Sequence, residues 1–333
     1  MTAERRLDRK LTAIHEGRYT AADFILADAK DADMAFGVMS PGTLPGSAFG
    51  DLGPGHYRTR PGYLDDMVAQ IDLGQFDIML TSASNGEQLV NRKAIGSDVT
   101  LAVRANDSTD IWNPRGGNVP TYRSHPFRTV HLPSVREFAD LVLYSVTLNN
   151  DLDHDLATLR AFNDFRLEAA DVEMRYFLEV FNPNDPKDLA PRDIPGFVND
   201  SIIRMLAGVT TAHRPLFLKM AYNSGAALAE LVEHDPTVVV GILGGSAGTT
   251  RDTFELLHRG EQHGARVALF GRKIQRAESQ LDLVRLMRPV LESRISPANA
   301  VREYHEALAA AGIEPARPLA ADLEVTDPAL LAE

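Results

Sequence analysis

Short apolar runs recur along the chain, and each of them ends in small or polar residues. Most are followed by a segment in which apolar residues recur with helical spacing, which is the pattern of β/α units. The runs predict eight strands, at residues 23–28, 76–82, 99–105, 140–146, 174–181, 215–222, 237–245 and 265–271. Eight strands that alternate with helices predict an α/β fold, the (β/α)8 or TIM barrel.

Helical segments complete this prediction. We expect helices between the later strands, at residues 152–170, 196–211, 225–234 and 250–263. A further helix is expected at about residues 1–17 and a helical extension at about 297–333, with residues 1–333 forming a single barrel domain. A doubly wound sheet is disfavoured, because no Gly-rich dinucleotide fingerprint follows the first apolar run.

Two long segments are rich in Gly and Pro and show no periodicity. Residues 37–60 follow the first predicted strand, and residues 106–130 follow the third. Because both extend from the carboxyl ends of strands, we expect them on the face where barrels hold their active sites. Two interpretations stay open: the loops contribute to a site, or they are surface excursions or subunit contacts.

The composition of the chain excludes several kinds of partner and of chemistry. The chain carries 34 Lys and Arg residues against 46 Asp and Glu, a formal charge of −12, which disfavours nucleic acid and membrane surfaces as partners. It has no Cys, so disulfides, thiolate nucleophiles and Cys-ligated metals are excluded. No apolar stretch has the length of a signal peptide core or a membrane span, and we expect a cytoplasmic protein.

Lysine is scarce, and one lysine stands out. Lys219 is one of six, and it lies inside the apolar run PLFLKMAY. Strands of a parallel barrel are covered on both faces, and a buried ammonium is costly unless it is paired. Burial favours the neutral amine, which Schiff-base chemistry with a carbonyl requires. The alternative is a lysine that extends from the strand end into solvent.

Glu179 occupies the matching place on the preceding strand, in YFLEVF. The pleat puts Glu179 on one face with Phe177 and Phe181, and it puts Lys219 on one face with Phe217. If both faces point into the barrel, a carboxylate and an amine on adjacent strands reach the same bound molecule and perform acid/base chemistry. The alternative is a structural ion pair between neighbouring strands.

Glycine-rich turns follow the last two predicted strands. The motif GGSAG places Gly244, Gly245 and Ser246 before a helix start, and the eighth run ends in Gly271 and Arg272. Glycine permits close approach to the backbone, and amides near a helix start favour an anion. Barrels often bind phosphate in the loops after strands seven and eight. The sequence therefore predicts a phosphate site here, with ordinary turns as the alternative.

Polar residues end other strands as well. Asp28 ends the first run, where it is either an inward carboxylate at the barrel mouth or a carboxylate at a helix start. Tyr144 and Asn106 occupy equivalent strand-end places, and Lys30 is a further candidate for substrate contact. The acidic cluster at residues 151–155 fits a helix cap better than a metal site, and we expect no metal.

These motifs resemble those of the class I (Schiff-base) aldolases, the family that includes archaeal-type fructose-bisphosphate aldolase and tagatose-bisphosphate aldolase. The resemblance lies in FLKMAY, FLEVF, GGSAG and FGRKI, and it covers about residues 21–286. It implies that Lys219 forms an iminium with a phosphorylated ketose and that Glu179 shuttles protons. It implies that Asp28 is the carboxylate of the first strand and that Tyr144 is a proton donor.

The same resemblance implies a substrate that carries phosphate. The residues that would contact it are Gly244, Gly245, Ser246, Gly271 and Arg272. No cofactor is implied, since an iminium replaces the Lewis acid that a metal would supply. We further expect a homo-oligomer.

The chain departs from the family at Lys273, where the family has Asn, and in the long third-strand loop that carries Trp112. Lys273 is the main competitor of Lys219 for imine formation, because the charge of Arg272 disfavours its ammonium form. Two other functions stay open. A phosphosugar isomerase or synthase would keep the phosphate loops without using the lysine covalently, and a non-catalytic phosphosugar-binding barrel would form no imine.

Overall fold

Eight parallel strands close into a barrel in the computed structural model, which describes residues 4–44, 57–245 and 248–331. Neighbouring strands follow one another along the chain, and the first strand pairs with both the second and the last. Each strand overlaps one of the predicted runs, so the (β/α)8 barrel is confirmed. In chain order the strands are β1 (Ile25–Lys30), β2 (Ile78–Thr81), β3 (Thr100–Arg104), β4 (Leu141–Thr147), β5 (Arg175–Phe181), β6 (Leu218–Met220), β7 (Gly241–Leu243) and β8 (Val267–Phe270).

Helices cover the outside of the barrel. The longer ones are α1 (Arg6–His15), α2 (Arg60–Asp72), α3 (Ala83–Asn91), α4 (Leu152–Asp171), α5 (Ile194–Ala207), α6 (Gly225–His234), α7 (Thr250–Gln262), α8 (Gln280–Leu291) and α9 (Pro297–Ala310). Shorter helices span Asp33–Phe36, Leu132–Arg136, Arg272–Gln275, Leu319–Asp322 and Pro328–Leu331. Among the described residues, no helix is both long and apolar enough to cross a membrane.

Side-chain caps explain where several helices begin. Ser82, Asp151, Ser224, Thr249 and Ser296 each accept a hydrogen bond from the backbone N–H three residues further on. Three of the predicted helices agree with the structure to within one residue, but the one predicted at 196–211 ends at Ala207. A glycine, which is a poor helix former, follows at that point.

Alternate residues of each barrel strand face the interior and the helices. On β1, Ile25 and Ala27 belong to the inner apolar cluster, whereas Leu26 belongs to the outer cluster under the helices. On the opposite wall, the rings of Phe177 and Phe217 stack inside the barrel with their centroids 4.6 Å apart. The inner cluster therefore fills the middle of the barrel and leaves its carboxyl end to polar side chains.

The long loop after β3 has structure of its own. Within residues 106–130, Asp107–Ser108 pairs in antiparallel fashion with Pro126–Phe127, and Trp112 packs against Phe127 at a centroid distance of 5.5 Å. In the loop after β1, Thr43 pairs with Tyr57, and residues 45–56 lie outside the described part of the chain. Both loops extend from the carboxyl ends of their strands, as expected.

Helix α1 closes the amino end of the barrel. Leu7 and Leu11 belong to the inner apolar cluster, and Lys10 Nζ lies 3.0 Å from a carboxylate oxygen of Asp77, which is fully buried just before β2. Arg288 of α8 donates to the same carboxylate at 2.8 Å. One buried carboxylate thus joins α1 and α8 to the strands.

Asp77 provides a test of this closure. Burial alone would raise the pKa of Asp77, but the charges of Lys10, Arg288 and Arg6 outweigh burial and lower it. A carboxyl group with a lowered pKa stabilises the fold above the unfolded-state pKa, and this contribution is lost as the pH falls through the folded-state pKa. We expect Asp77→Asn to reduce the free energy of unfolding by roughly 3 to 5 kcal/mol at pH 7.

The difference between Asp77→Asn and the unmodified protein should shrink as the pH falls below about 4. Urea unfolding followed by circular dichroism from pH 7 to pH 3 measures it. The matched control is Asp72→Asn, which changes an exposed carboxylate of α2 and should alter stability by less than about 0.5 kcal/mol. A loss that does not vary with pH would contradict the assignment of the effect to charge.

Candidate functional site

Lys219 lies in the barrel interior, near the carboxyl end. It is the middle residue of β6, between Leu218 and Met220, whose side chains pack under the helices. Only 5% of Lys219 is exposed, and its Nζ forms an ion pair with Glu179 Oε1 on β5. The parallel register places the two residues directly beside each other. The structure therefore brings together the two residues that the sequence paired.

Glu179 accepts hydrogen bonds from three side chains. It is 1% exposed, and its Oε2 accepts from Arg104 Nη2 at 2.9 Å and from Ser145 Oγ at 2.7 Å, while Lys219 contacts Oε1. Burial alone would raise the pKa of Glu179, but the charges of Lys219 and Arg104 lower it to about 2. Glu179 is therefore a carboxylate at neutral pH, and both of its oxygens are occupied.

The sequence predicted a neutral amine at Lys219, because an apolar strand desolvates the charged form. The structure places the carboxylate of Glu179 against Nζ of Lys219, so the lysine has a charged partner inside the barrel. A lysine attacks a carbonyl carbon only as the free amine.

Arg104, the last residue of β3, connects the other polar groups of the interior. Its Nε pairs with Asp31, its Nη1 donates to Ser145 Oγ at 2.7 Å, and its remaining nitrogen reaches Glu179. Burial alone would lower the pKa of Arg104, but the carboxylates of Asp31, Glu179 and Asp107 raise it. One buried guanidinium thus bridges two carboxylates at the mouth of the barrel.

The predictions for Asp28 and Lys30 are wrong. On β1 the odd-numbered residues face the interior, so Asp28 and Lys30 point outward, where both are fully buried with Lys30 Nζ 3.4 Å from Asp28 Oδ2. Lys30 also donates to Gln275 at 2.7 Å. Burial raises the pKa of Asp28 to about 6. The carboxylate that reaches the site is Asp31, which immediately follows β1.

Tyr144 also points away from the interior, so its predicted placement at the site is wrong. Its ring stacks on Phe165 of α4 at a centroid distance of 4.2 Å. The neighbouring residue, Ser145, is the one that faces inward. Asn106 lies close to the site but is committed to the backbone of Ser145: its amide donates to the carbonyl oxygen at 2.9 Å and accepts from the N–H at 2.6 Å. Asn106 therefore positions Ser145 and does not face the cavity.

A cavity of about 360 Å³ opens above these groups. Its polar wall includes Asp31, Arg104, Glu179 and Lys219. The segment after β1 adds Ala32, Ala35 and Phe36, and the long loop after β3 adds Asp110, Ile111, Asn113 and Pro120. The loop at 106–130 therefore forms part of the cavity wall, which was one of its two open interpretations.

The predicted phosphate loops reach the same cavity. Gly244, Gly245, Gly271 and Arg272 all line it, whereas Ser246 lies outside the described residues. A Cβ atom at Gly244 would lie 2.3 Å from the ring of Phe270, and one at Gly271 would lie 2.7 Å from a backbone oxygen, so both positions require glycine. The N–H of Gly244 donates to a carbonyl oxygen of β8 and is therefore not available to a ligand. Gly244 contributes by leaving room for the ring of Phe270.

The acidic cluster at residues 151–155 is a helix cap, as preferred from the sequence. Asp151 accepts from the backbone N–H of His154 at 3.3 Å at the start of α4, and it also pairs with Arg123. Across residues 4–44, 57–245 and 248–331, no group of three or more His, Asp or Glu side chains is arranged to hold a metal ion.

Comparison with solved structures gives the fold class. An archaeal fructose 1,6-bisphosphate aldolase superposes with a TM-score of 0.60 and 14% identity, covering 85% of this chain and 99% of that one. A second structure of an archaeal fructose-1,6-bisphosphate aldolase, whose catalytic Lys is covalently bound to the carbinolamine intermediate, matches with the same TM-score, identity and coverage. A Corynebacterium glutamicum protein matches with a TM-score of 0.56 and 16% identity, covering 86% and 93% of the two chains.

Another barrel enzyme is similar to a lesser degree. The (S)-3-O-geranylgeranylglyceryl phosphate synthase of Thermoplasma acidophilum has a TM-score of 0.51 and 12% identity, covering 88% of this chain and 99% of that one. No protein-family model and no curated protein matches the sequence. At these identities the likeness defines a TIM barrel, and any function has to be argued from the site.

The site predicts how Arg104 controls Glu179. We expect Arg104→Gln to raise the pKa of Glu179 from about 2 toward the ordinary range, because one of its two neighbouring cations is removed. Carbon-13 NMR titration of labelled glutamate carboxylates measures this, with Glu179→Gln used to assign the signal. Arg128→Gln removes an exposed partner of Glu168 and should leave the titration unchanged. An unchanged titration of Glu179 in Arg104→Gln would show that Arg104 does not control the pKa of this carboxyl group.

Proposed function

We propose that this protein is a class I aldolase, which cleaves or forms a carbon–carbon bond of a phosphorylated ketose through an imine on Lys219. One observation carries the proposal: Lys219 and Glu179 are paired on the wall of a cavity that also exposes Arg272. The amine supplies the nucleophile, the carboxylate supplies proton transfer, and the guanidinium supplies a partner for a phosphate group.

Imine formation requires Lys219 as the free amine, because an ammonium nitrogen has no lone pair to donate. The free amine then adds to the ketose carbonyl to give a carbinolamine, and loss of the hydroxyl group as water leaves an iminium. Glu179 is beside the nitrogen throughout, with Ser145 Oγ bonded to its other oxygen at 2.7 Å. With Lys219 as a neutral amine, one of the two cations that lower the pKa of Glu179 is absent, so the carboxylate is a better base at the stage where it is needed.

Carbon–carbon cleavage requires a second base, and Asp31 is the residue that we assign to it. A base removes the proton of the substrate hydroxyl, and the hydroxyl oxygen becomes a carbonyl oxygen. The carbon–carbon bond breaks, and its electrons move toward the iminium nitrogen to form an enamine. Asp31 lines the cavity and pairs with Arg104 Nε, whereas Glu179 accepts from Nη2 of the same guanidinium. The same guanidinium thus positions the carboxylates of both proton transfers.

The phosphate of the substrate is assigned to Arg272 and to the glycine loops beside it. Gly271 lines the cavity, and Gly245 adopts a left-handed conformation with φ of 62°, which favours glycine. Among the described residues, no carboxylate lies within 4.0 Å of the Arg272 guanidinium. This cation is therefore available to a ligand at the cavity wall.

Borohydride trapping tests the imine. With dihydroxyacetone phosphate and borohydride, we expect an irreversible adduct on the peptide that contains Lys219, because reduction fixes the iminium. Lys219→Arg should abolish the adduct, whereas Lys273→Arg and Lys30→Arg, which change the other candidate lysines, should retain it. Glu179→Gln should form the adduct more slowly and turn over poorly, since the amine remains but its proton partner is lost.

Other outcomes of the trapping experiment point to other functions. An adduct on Lys273 would overturn the assignment of the nucleophile. Turnover of a phosphosugar without any adduct would indicate an isomerase or synthase on the same barrel. Tight phosphosugar binding with neither adduct nor turnover would indicate a binding protein.

Arg272 provides a separate test of substrate class. We expect Arg272→Gln to weaken the binding of phosphorylated ketoses by roughly 1.5 to 3 kcal/mol, the size of a charge-assisted hydrogen bond. Dihydroxyacetone without phosphate should bind and form its imine as before. Arg285→Gln, an exposed change in α8, is the control. Equal losses for phosphorylated and unphosphorylated ligands, measured by titration calorimetry and trapping rates, would show that Arg272 is structural.

A further inference from the structure

A second cavity adjoins the Lys219 cavity on the side of the C-terminal extension. Its volume is about 380 Å³, and its wall includes residues of α7, the segment after β8 and the segment after α9. Four cations line it, namely Arg272, Lys273, Arg276 and Arg317. Two of them, Arg272 and Arg276, also line the Lys219 cavity, so the two cavities meet at these side chains.

Three of these cations have no carboxylate partner. Within the part of the chain that the structure describes, no Asp or Glu oxygen lies within 4.0 Å of the charged nitrogens of Arg272, Lys273 or Arg317. Lys273 is partly buried, and burial lowers the pKa of its ammonium group. Burial of an unpaired cation costs free energy, and an anion in the cavity would offset that cost.

Two carboxylates near this cavity, Asp252 and Asp322, are bonded to the backbone. Asp252 accepts from the N–H groups of Thr249 at 2.8 Å and Thr326 at 2.7 Å. Asp322 accepts from the N–H of Thr250 at 2.7 Å. These bonds fasten the C-terminal extension to the start of α7. Neither carboxylate lines the cavity or lies within 4.0 Å of the charged nitrogens of Lys273 or Arg317, although the charges of both favour the ammonium form of Lys273.

Arg317 is placed at the cavity by an anchored stretch of backbone. Glu278, the one carboxylate among the described wall residues, accepts from Tyr304 Oη at 3.0 Å and from the backbone N–H of Ala316 at 2.7 Å. Because Ala316 immediately precedes Arg317, these bonds fix the chain where the guanidinium emerges. Both oxygens of Glu278 accept these hydrogen bonds, and neither lies within 4.0 Å of the charged nitrogens of Arg317 or Lys273.

We propose that this cavity is a second anion site, which binds a phosphate-type dianion through Lys273 and Arg317. An ammonium and a guanidinium are the side chains that proteins use for phosphate, and Arg adds bidentate geometry. The ligand is either the second phosphate of the molecule bound at Lys219 or a separate phosphate compound. The site does not depend on imine chemistry, so binding measurements test it whether or not the protein is an aldolase.

Calorimetric titration with inorganic phosphate tests the site. We expect two phosphates per chain in the unmodified protein, one in each cavity. Lys273→Gln and Arg317→Gln should each weaken the binding of one of the two phosphates by at least tenfold. Lys273→Arg should retain this binding because the charge remains. Arg285→Gln is the exposed control and should keep both. Near-ultraviolet circular dichroism verifies that each variant is folded.

A single phosphate in the unmodified protein, or two undiminished phosphates in the Lys273→Gln, Arg317→Gln double variant, would overturn the proposal. Competition then distinguishes the two sources of the ligand. If one molecule spans both cavities, fructose 1,6-bisphosphate displaces both inorganic phosphates and fructose 6-phosphate displaces one. If the second site takes a separate compound, each sugar phosphate displaces one phosphate and leaves the Arg317-dependent phosphate in place.

Discussion

In a closed parallel barrel, alternate side chains of every strand face the interior, and this constraint places each charge of the candidate site. Glu179 and Lys219 face inward at the same height because their strands pair in register, above the stacked rings of Phe177 and Phe217. Charges brought into such a space are costly unless they neutralise one another. Arg104 makes the balance possible, because its guanidinium satisfies Glu179 and Asp31 together.

Much of this arrangement was predictable, and the parts that were not have a physical reason. The strands and the Lys219–Glu179 pair follow from apolar runs interrupted by one charge. Along β1 all six residues are buried, so apolarity does not alternate and the sequence does not tell which face holds Asp28. Arg104 carried the same signal as Lys219, a charge within an apolar run, and could have been found by the same argument. The loop at residues 106–130 has no periodic pattern of apolar residues, so the sequence could not tell which of its residues line the cavity.

The two ends of the barrel use buried charge for different purposes. At the amino end, Asp77 meets the cations of α1 and α8, and the resulting contacts close the barrel. At the carboxyl end, Glu179 contacts two cations, Arg104 and Lys219. Both of these cations line an open cavity. Both carboxylates have pKa values lowered by neighbouring cations. Access to a cavity is what distinguishes the second charge cluster from the first.

The charge of the cavity and the shape of the cavity depend on different parts of this protein. Arg104, Glu179 and Lys219 belong to the strands, whereas Ile111, Asn113 and Pro120 reach the cavity from the loop, which carries its own antiparallel ribbon. None of Ile111, Asn113 and Pro120 bonds to Arg104, Glu179 or Lys219, whose closest partners are Asp31, Ser145 and one another. Evolution can therefore reshape the space available to the ligand while the charged groups beneath it stay fixed.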